Sequence, residues 1–276
     1  MSSLLQNQVA IITGAGRGIG AATAHLFAAQ GASVVVSDRD AEPTEEVVQE
    51  IRSAGGIAMG VPGDVTDPAF PDTLIKATMA EYGALHILVN NAGYTWDGML
   101  HKMSDKQWEA MLAVHNTAPF RLVRAASPHM RDAAKKELAT GQVPPPRCII
   151  NVSSTSGLHG NVGQLNYATA KMGMVGFTKT VAKEWGAFGI RCNAVAFGYI
   201  ETRLTQAKES GETIAGDGEE IPLGVPSHLH DMVKMMIPLG RTGTVEEAAG
   251  SILLLASPFA GYINGHTLEV TGGMGI

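Results

Sequence analysis

Tyr167 and Lys171 stand four residues apart in the string Tyr-Ala-Thr-Ala-Lys, so on a helix the phenol and the ammonium leave the same face. Such a pair by itself is an ordinary solvated helix surface. Here it follows Ser153 and Ser154, which close a β-branched run, and the glycine-bearing segment Gly157–Asn166, so a hydroxyl, a phenol and an ammonium could converge. A phenol titrates near 10 and is a poor base at neutral pH, but a neighbouring cation stabilises its phenolate. Proton transfer to or from a substrate oxygen is the chemistry these three types can do together.

A second constellation lies near the N-terminus. Thr13-Gly14-Ala15-Gly16-Arg17-Gly18-Ile19-Gly20 follows a short apolar strand pattern and runs into a helical one. Glycines let the backbone turn and approach a pyrophosphate, and the helix start offers free N–H groups and the positive end of its dipole. The strand before and the helix after are the context that raises this string above a simple tight turn. Asp38 closes the next strand pattern about twenty residues on, where a carboxylate can accept from the adenosine ribose hydroxyls and repel a 2′-phosphate. That favours NAD over NADP, although Asp38 could instead cap the helix after it. Arg17 and Arg39 pull toward NADP, because guanidinium groups clamp phosphates.

The elements that must hold these groups alternate. Strand patterns at 8–13, 32–38, 86–93, 148–154, 190–196 and 267–273, with a further strand ahead of Asp64-Val65, are separated by helical patterns that end on Gly31 and Gly55. This alternation predicts an α/β Rossmann fold: one doubly wound parallel sheet of about seven strands with helices on both faces. Further helices are expected over 67–83 with Asp67 as N-cap, over 104–130 with Ser104 as cap, and over 167–186. Asp64-Val65 and Asn90-Asn91-Ala92-Gly93 fall at the carboxyl ends of strands, where this fold keeps its ligand, though both also read as turn formers.

Composition narrows the function. The 276 residues are 45% hydrophobic, enough for one large core, and are read as a single domain, 1–276. A net charge of −6 with no clustered basic face argues against nucleic acid. No run of apolar residues is long enough to span a bilayer, and the N-terminus lacks a signal-peptide pattern. The two cysteines, Cys148 and Cys192, sit in apolar runs and read as buried thiols of a reducing, cytoplasmic setting. The nine histidines show no metal-ligand spacing, so no metal is expected. His159 is held open as a substrate contact because it lies between Ser154 and Tyr167; His228 and His230 are weaker candidates.

Taken in order, Thr-Gly-Ala-Gly-Arg-Gly-Ile-Gly, Asn-Asn-Ala-Gly, Ser154 thirteen residues before Tyr167, Tyr-Ala-Thr-Ala-Lys and Gly198-Tyr199-Ile200-Glu201-Thr202 resemble the short-chain dehydrogenase/reductase family over essentially the whole chain. The run Gly160–Lys179 is most similar to its 3-oxoacyl-[acyl-carrier-protein] reductase branch. The resemblance implies a carbonyl/alcohol oxidoreductase in which hydride reaches the carbonyl carbon from NAD(P) while Tyr167 protonates the oxygen and Ser154 hydrogen-bonds it. It implies that Lys171 also holds the nicotinamide ribose. Asn116, a mediocre helix former inside a long helical pattern, then matches the family's Asn that bends this helix and holds a water linking Lys171 to solvent. The implied catalytic set is Asn116, Ser154, Tyr167 and Lys171. The implied cofactor contacts are Gly14, Gly16, Arg17, Gly18, Ile19, Gly20, Asp38, Arg39, Asp64, Val65, Asn91, Ala92, Gly93, Tyr167, Lys171, Gly198, Ile200 and Thr202, with Ser154, His159 and Tyr199 toward substrate.

The chain departs from the family in places. Phe197 stands where a proline is usual, and the C-terminal strand ends Val270-Thr271-Gly272-Gly273 instead of in Asp-Gly-Gly. The tail through Ile276 implies subunit contacts and a homotetramer or homodimer. Residues 132–147, with a triple proline, read as an insertion that is a surface excursion or a cap. Residues 199–240 read equally as a substrate lid carrying Leu204, Leu223, Val225, Leu229, Met232, Met235 and Met236 or as core packing. No basic patch suited to an acidic carrier protein is evident. A 3-oxoacyl thioester, a steroid, a sugar or another secondary alcohol all remain candidate substrates, and a non-catalytic dinucleotide sensor is the alternative of another class.

Overall fold

In the computed structural model, which describes residues 3–216 and 219–275, nine strands occur in chain order. They are β1 (Val9–Thr13), β2 (Ser33–Ser37), β3 (Ile57–Gly60), β4 (Ile87–Asn90), β5 (Arg147–Ser154), β6 (Ile190–Phe197), β7 (Thr213–Gly216), β8 (Glu219–Pro222) and β9 (Thr267–Val270). Seven of them form one parallel sheet in the order β3-β2-β1-β4-β5-β6-β9, and β7 and β8 pair as a separate antiparallel hairpin. The chain winds outward from β1 through β2 to β3, then restarts beside β1 at β4. That reversal opens a crevice at the carboxyl ends of β1 and β4, which is where doubly wound sheets bind ligands.

Ten helices connect the strands among the described residues: α1 (Gly18–Ala29), α2 (Ala41–Ser53), α3 (Phe70–Tyr82), α4 (Asp105–Leu112), α5 (Ala118–Ser127), α6 (Ala133–Ala139), α7 (Thr155–His159), α8 (Leu165–Trp185), α9 (Ser227–Met236) and α10 (Val245–Ala256). Alternate strand residues feed opposite faces. Ile12, Val34 and Val36 pack with Phe27 and Ile252 on one side, whereas Ile11, Val35 and Leu88 pack with Leu74, Leu122 and Val181 on the other. Burial on both faces explains why these strands read as continuous apolar runs.

Three boundaries differ from expectation, each for a local reason. The helix expected from Asp67 begins at Phe70, because the Asp67 carboxylate accepts from Ala69 N–H at 2.9 Å and stabilises a turn before it. The helix from Ser104 carries the reciprocal cap expected of Ser with Gln107, but wide π-helical turns at Ala113–Thr117 and Pro128–Asp132 divide it into α4, α5 and α6. It therefore continues into the 132–147 segment as far as Ala139. There a buried Arg147 guanidinium holds Glu137 through two bonds of 2.8 and 2.7 Å, tying α6 to the start of β5.

Thr13 and Asn91 stitch the crevice walls together. The Thr13 hydroxyl donates to Val89 O and accepts from the N–H groups of Asn91 and Ala92, while Asn91 Nδ2 donates to the carbonyls of Thr13 and Gly14. Thr13 is 1% exposed. We expect Thr13→Val, which leaves two partly buried N–H groups without their acceptor, to lower unfolding free energy by about 1–3 kcal/mol in urea titration. No measurable change would show that the stitch is not load-sharing.

Candidate active site

The crevice opens into a cleft of about 870 Å³ that runs from the glycine-rich turn to the 199–240 segment. At one end Gly14 adopts φ +63°, and a Cβ there would lie 2.7 Å from Ala92 Cα; a Cβ on Gly20 would lie 2.0 Å from Gly14 O. Only glycine permits this approach of β1 to β4 and of the turn to α1. No side chain caps the start of α1, so its first-turn N–H groups face the cleft with Gly18, Ile19 and Gly20. That backbone arrangement fits a diphosphate.

Asp38 turns toward this loop: Oδ2 accepts from Gly16 N–H at 3.0 Å and Oδ1 from Asp40 N–H at 3.3 Å. It does not cap α2, whose preceding residue is Asp40. Gly16 supports Asp38 from behind; the cleft wall itself includes Asp38 and Arg39. Arg17 is held by the Asp40 carboxylate at 2.7 Å, which keeps Asp40 below the usual carboxylate range. Arg39 donates to Ala215 O on β7. Asp64 and Val65 reach the cleft, with the Asp64 carboxylate engaged by Thr66 N–H and hydroxyl in a turn. Asn91, Ala92 and Gly93 form the floor, and Gly198, Ile200 and Thr202 the facing wall.

At the other end Ser154, Tyr167 and Lys171 come together. Lys171 lies in α8 with its ammonium buried against β5, where Nζ donates to Val152 O at 2.7 Å. The Ser153 hydroxyl returns the contact, donating to Lys171 O at 2.8 Å. Burial pulls the Lys171 ammonium down to about 7. Its Nζ lies 5.6 Å from the centre of the Tyr167 ring. The Tyr167 phenol, opening on the cleft, is pushed up to about 12 by burial, against a lowering hydrogen bond with Ser154. With the phenol raised in this way, it is protonated at pH 7 in the free protein.

The remaining expected residues spread out. His159 ends α7 on the cleft wall, 3.0 Å from Glu269. Tyr199 lines the cleft and donates through its hydroxyl to Thr205 O. Asn116 sits in the first π-helical turn, but its Nδ2 donates to Ala170 O at 2.9 Å, so the side chain faces the backbone of α8 and not the cleft. Its neighbour His115, which sequence reasoning passed over, lines the cleft together with Ala113 and Val114 of the same turn. Asp97 and Gln164 were also passed over: Gln164 Nε2 donates to both Asp97 oxygens at 3.1 Å, and burial raises Asp97. A signal existed for His115, a polar residue beside the selected Asn116, and for Gln164, inside the glycine-bearing segment before Tyr167, but neither carries a motif.

Of the apolar residues singled out in 199–240, Leu204, Leu223, Val225, Leu229 and Met236 line the cleft, joined by Ile214 and Val233, whereas Met232 and Met235 do not line it. His228 is exposed, and His230 packs edge-on to Tyr199. Met274 and Gly275 also reach the cleft. Among the described residues, no cluster of His, Cys, Asp and Glu could hold a metal ion, and no helix is long and apolar enough to cross a membrane.

A doubly wound parallel sheet with a diphosphate-shaped glycine turn and a Ser-Tyr-Lys cluster along one cleft defines a dinucleotide-binding oxidoreductase fold. Residues 8–213 match the family model described as short chain dehydrogenase. A 3-oxoacyl-[acyl-carrier-protein] reductase of Synechocystis is 39% identical over 272 residues, covering 98% of each chain. The Escherichia coli protein of the same description is 37% identical over 269 residues, again 98% of each. A short-chain reductase protein of Streptomyces niveus, NovJ, is 38% identical over 268 residues, 97% of this chain and 94% of its own. The chain belongs to the short-chain dehydrogenase family, and so is an oxidoreductase of alcohol and carbonyl groups that works with a nicotinamide dinucleotide.

Lys171 carries a pH signature. Between its folded value of about 7 and its ordinary 10.5, the unfolded chain binds a proton that the folded chain does not. Stability from this residue therefore rises with pH across that window, by up to about 1.4 kcal/mol per unit. Lys171→Met should flatten that rise in urea titrations at pH 7, 8 and 9; an unchanged slope would mean that the ammonium is not desolvated.

Proposed function

We propose that the chain interconverts an apolar ketone, such as a 3-oxoacyl thioester, and its secondary alcohol, with Tyr167 as acid/base. The observation that carries this reading is the convergence of Ser154, Tyr167 and Lys171 on a cleft continuous with the glycine-rich turn. A bound nicotinamide dinucleotide supplies the hydride to the carbonyl carbon, or takes it from the carbinol. In reduction Tyr167 donates its phenolic proton to the substrate oxygen, while the Ser154 hydroxyl hydrogen-bonds that oxygen as negative charge builds. A phenol near 12 is fully loaded for donation at pH 7. The Lys171 ammonium, when charged, lowers the cost of the phenolate that remains, and Asn116 steadies α8 through Ala170 O.

The glycine turn, Asp64, Val65 and the 91–93 floor would hold the adenosine and diphosphate, with Lys171, Gly198, Ile200 and Thr202 toward the nicotinamide. NAD is the preferred dinucleotide: Asp38 presents its carboxylate where a 2′-phosphate would come, and Arg17 and Arg39 are already engaged. That preference supports a second reading within the same chemistry, NAD-dependent oxidation of a secondary alcohol such as a steroid. The 199–240 segment acts as an apolar lid, with His159 and Tyr199 at the substrate. Exposed Leu254, Phe259 and Tyr262 suit self-association into a dimer or tetramer, and free, buried Cys148 and Cys192 suit a cytoplasmic setting.

Tyr167→Phe should reduce kcat by about 10²–10⁴ with acetoacetyl-CoA as probe, while dinucleotide affinity by fluorescence titration changes little. Retained turnover would favour a dinucleotide-sensing role. Side-by-side titrations should give tighter NADH than NADPH, and Asp38→Ala should narrow the gap; tighter NADPH in the parent chain would reverse the cofactor assignment.

A further inference from the structure

His115 is 3% exposed and sits in the π-helical turn between α4 and α5, in contact with two parts of the cleft. Its Nε2 lies 2.8 Å from Tyr94 O. A carbonyl only accepts, so Nε2 carries the proton and Nδ1 is left as a bare lone pair. Among the described residues Nδ1 meets no hydrogen-bond partner. On one side the Cε1–Nδ1 edge presses on the backbone of Gly93, where an added Cβ would fall 2.2 Å from Cε1 and 2.7 Å from Nδ1. On the other side the ring meets the Tyr167 ring nearly at right angles, with centroids 5.1 Å apart. That edge-to-face geometry is the favourable one for two rings.

We propose that His115 is a positioning residue for the reaction: its neutral ring, fixed on the Tyr94 carbonyl through Nε2–H, sets the spacing between the Gly93 backbone and the Tyr167 phenol. The inference rests on the acid/base reading of Tyr167. Each contact has a distinct job. The bond to Tyr94 O orients the ring, the Gly93 contact gives it a floor of fixed height, and the edge-on contact keeps the phenol from turning about its own side-chain torsions. The wide turn supplies the bulge that brings a mid-helix residue this far toward the strand ends. The absence of a side chain at position 93 is then a requirement of the histidine. A misplacement of about 1 Å at a reacting group is enough to cost on the order of a hundredfold in rate.

The test compares His115→Ala, Gly93→Ala, the double variant and Tyr167→Phe with acetoacetyl-CoA and NADH, alongside NADH affinity and the nitrogen-15 tautomer of His115. The expected result is a kcat loss of at least tenfold in H115A with NADH affinity within about threefold of the parent. G93A alone should also lose turnover, and adding it to H115A should cost little more, because the ring it collides with is gone. The parent should show the Nε2–H tautomer at pH 7. Turnover in H115A within twofold of the parent, equal G93A losses in both backgrounds, or an Nδ1–H or charged ring would each overturn the inference. Tyr167→Phe separates the failures: an active Y167F overturns the acid/base reading and this inference with it, whereas an inactive Y167F beside a fully active H115A overturns only this inference. Should H115A not fold, His115→Gln keeps a donor for Tyr94 O without the ring, and the same tenfold loss is expected, with parent-like turnover overturning the role of the ring.

Discussion

Lys171 places its amino group almost out of water, against one strand carbonyl. Its ammonium donates to Val152 O, and the Ser153 hydroxyl donates back to the carbonyl of the same lysine. This reciprocal pair fastens α8 to β5 at the one level where β5 ends in Ser154 and α8 begins to carry Tyr167. Moving either element by a fraction of a turn would separate hydroxyl from phenol. Burial in this corner also sets the electrostatics of the site, lowering the ammonium and raising the phenol together.

The opposite end of the cleft is governed by the closeness of backbones. β1 and β4 approach so tightly beside Gly14 and Ala92 that side chains are excluded, and Thr13 and Asn91 supply the hydrogen bonds that this closeness demands. The result is an anion-shaped turn at one end and the Ser154, Tyr167 and Lys171 cluster at the other, joined by residues 91–93. His115 touches that floor and the phenol at once, which makes the first π-helical turn part of the site's frame. Leu204, Leu223, Val225 and Leu229 line the cleft with apolar side chains, and Ala215 O on β7 accepts from Arg39 near the turn.

Much of this frame was legible in the residues. Continuous apolar runs marked the strands because both sheet faces are covered, and glycine placement marked the turn because only glycine fits there. Ser154, Tyr167 and Lys171 were legible because spacing on one helix and one strand end is local information. The π-helical turns were not: the pattern from Ser104 to Met130 reads as one helix, and the extra residue per turn is dictated by packing against α8. That shift puts His115 toward the cleft and leaves the Asn116 side chain on Ala170 O. The late start of α3 has a different, local origin, an aspartate whose side chain prefers a turn. The extent to which Tyr167 is buried was also hidden, since burial depends on what the whole fold brings around the ring.

The most direct measurement is a crystal structure of the chain with NAD⁺ and a secondary alcohol such as 3-hydroxybutyryl-CoA. The account predicts the diphosphate on the Gly14–Gly20 turn and the carbinol oxygen within about 2.6–3.2 Å of both Tyr167 Oη and Ser154 Oγ. A dinucleotide bound the other way round, with adenine over Ser154 and Tyr167, or a carbinol oxygen held by other side chains, would contradict it.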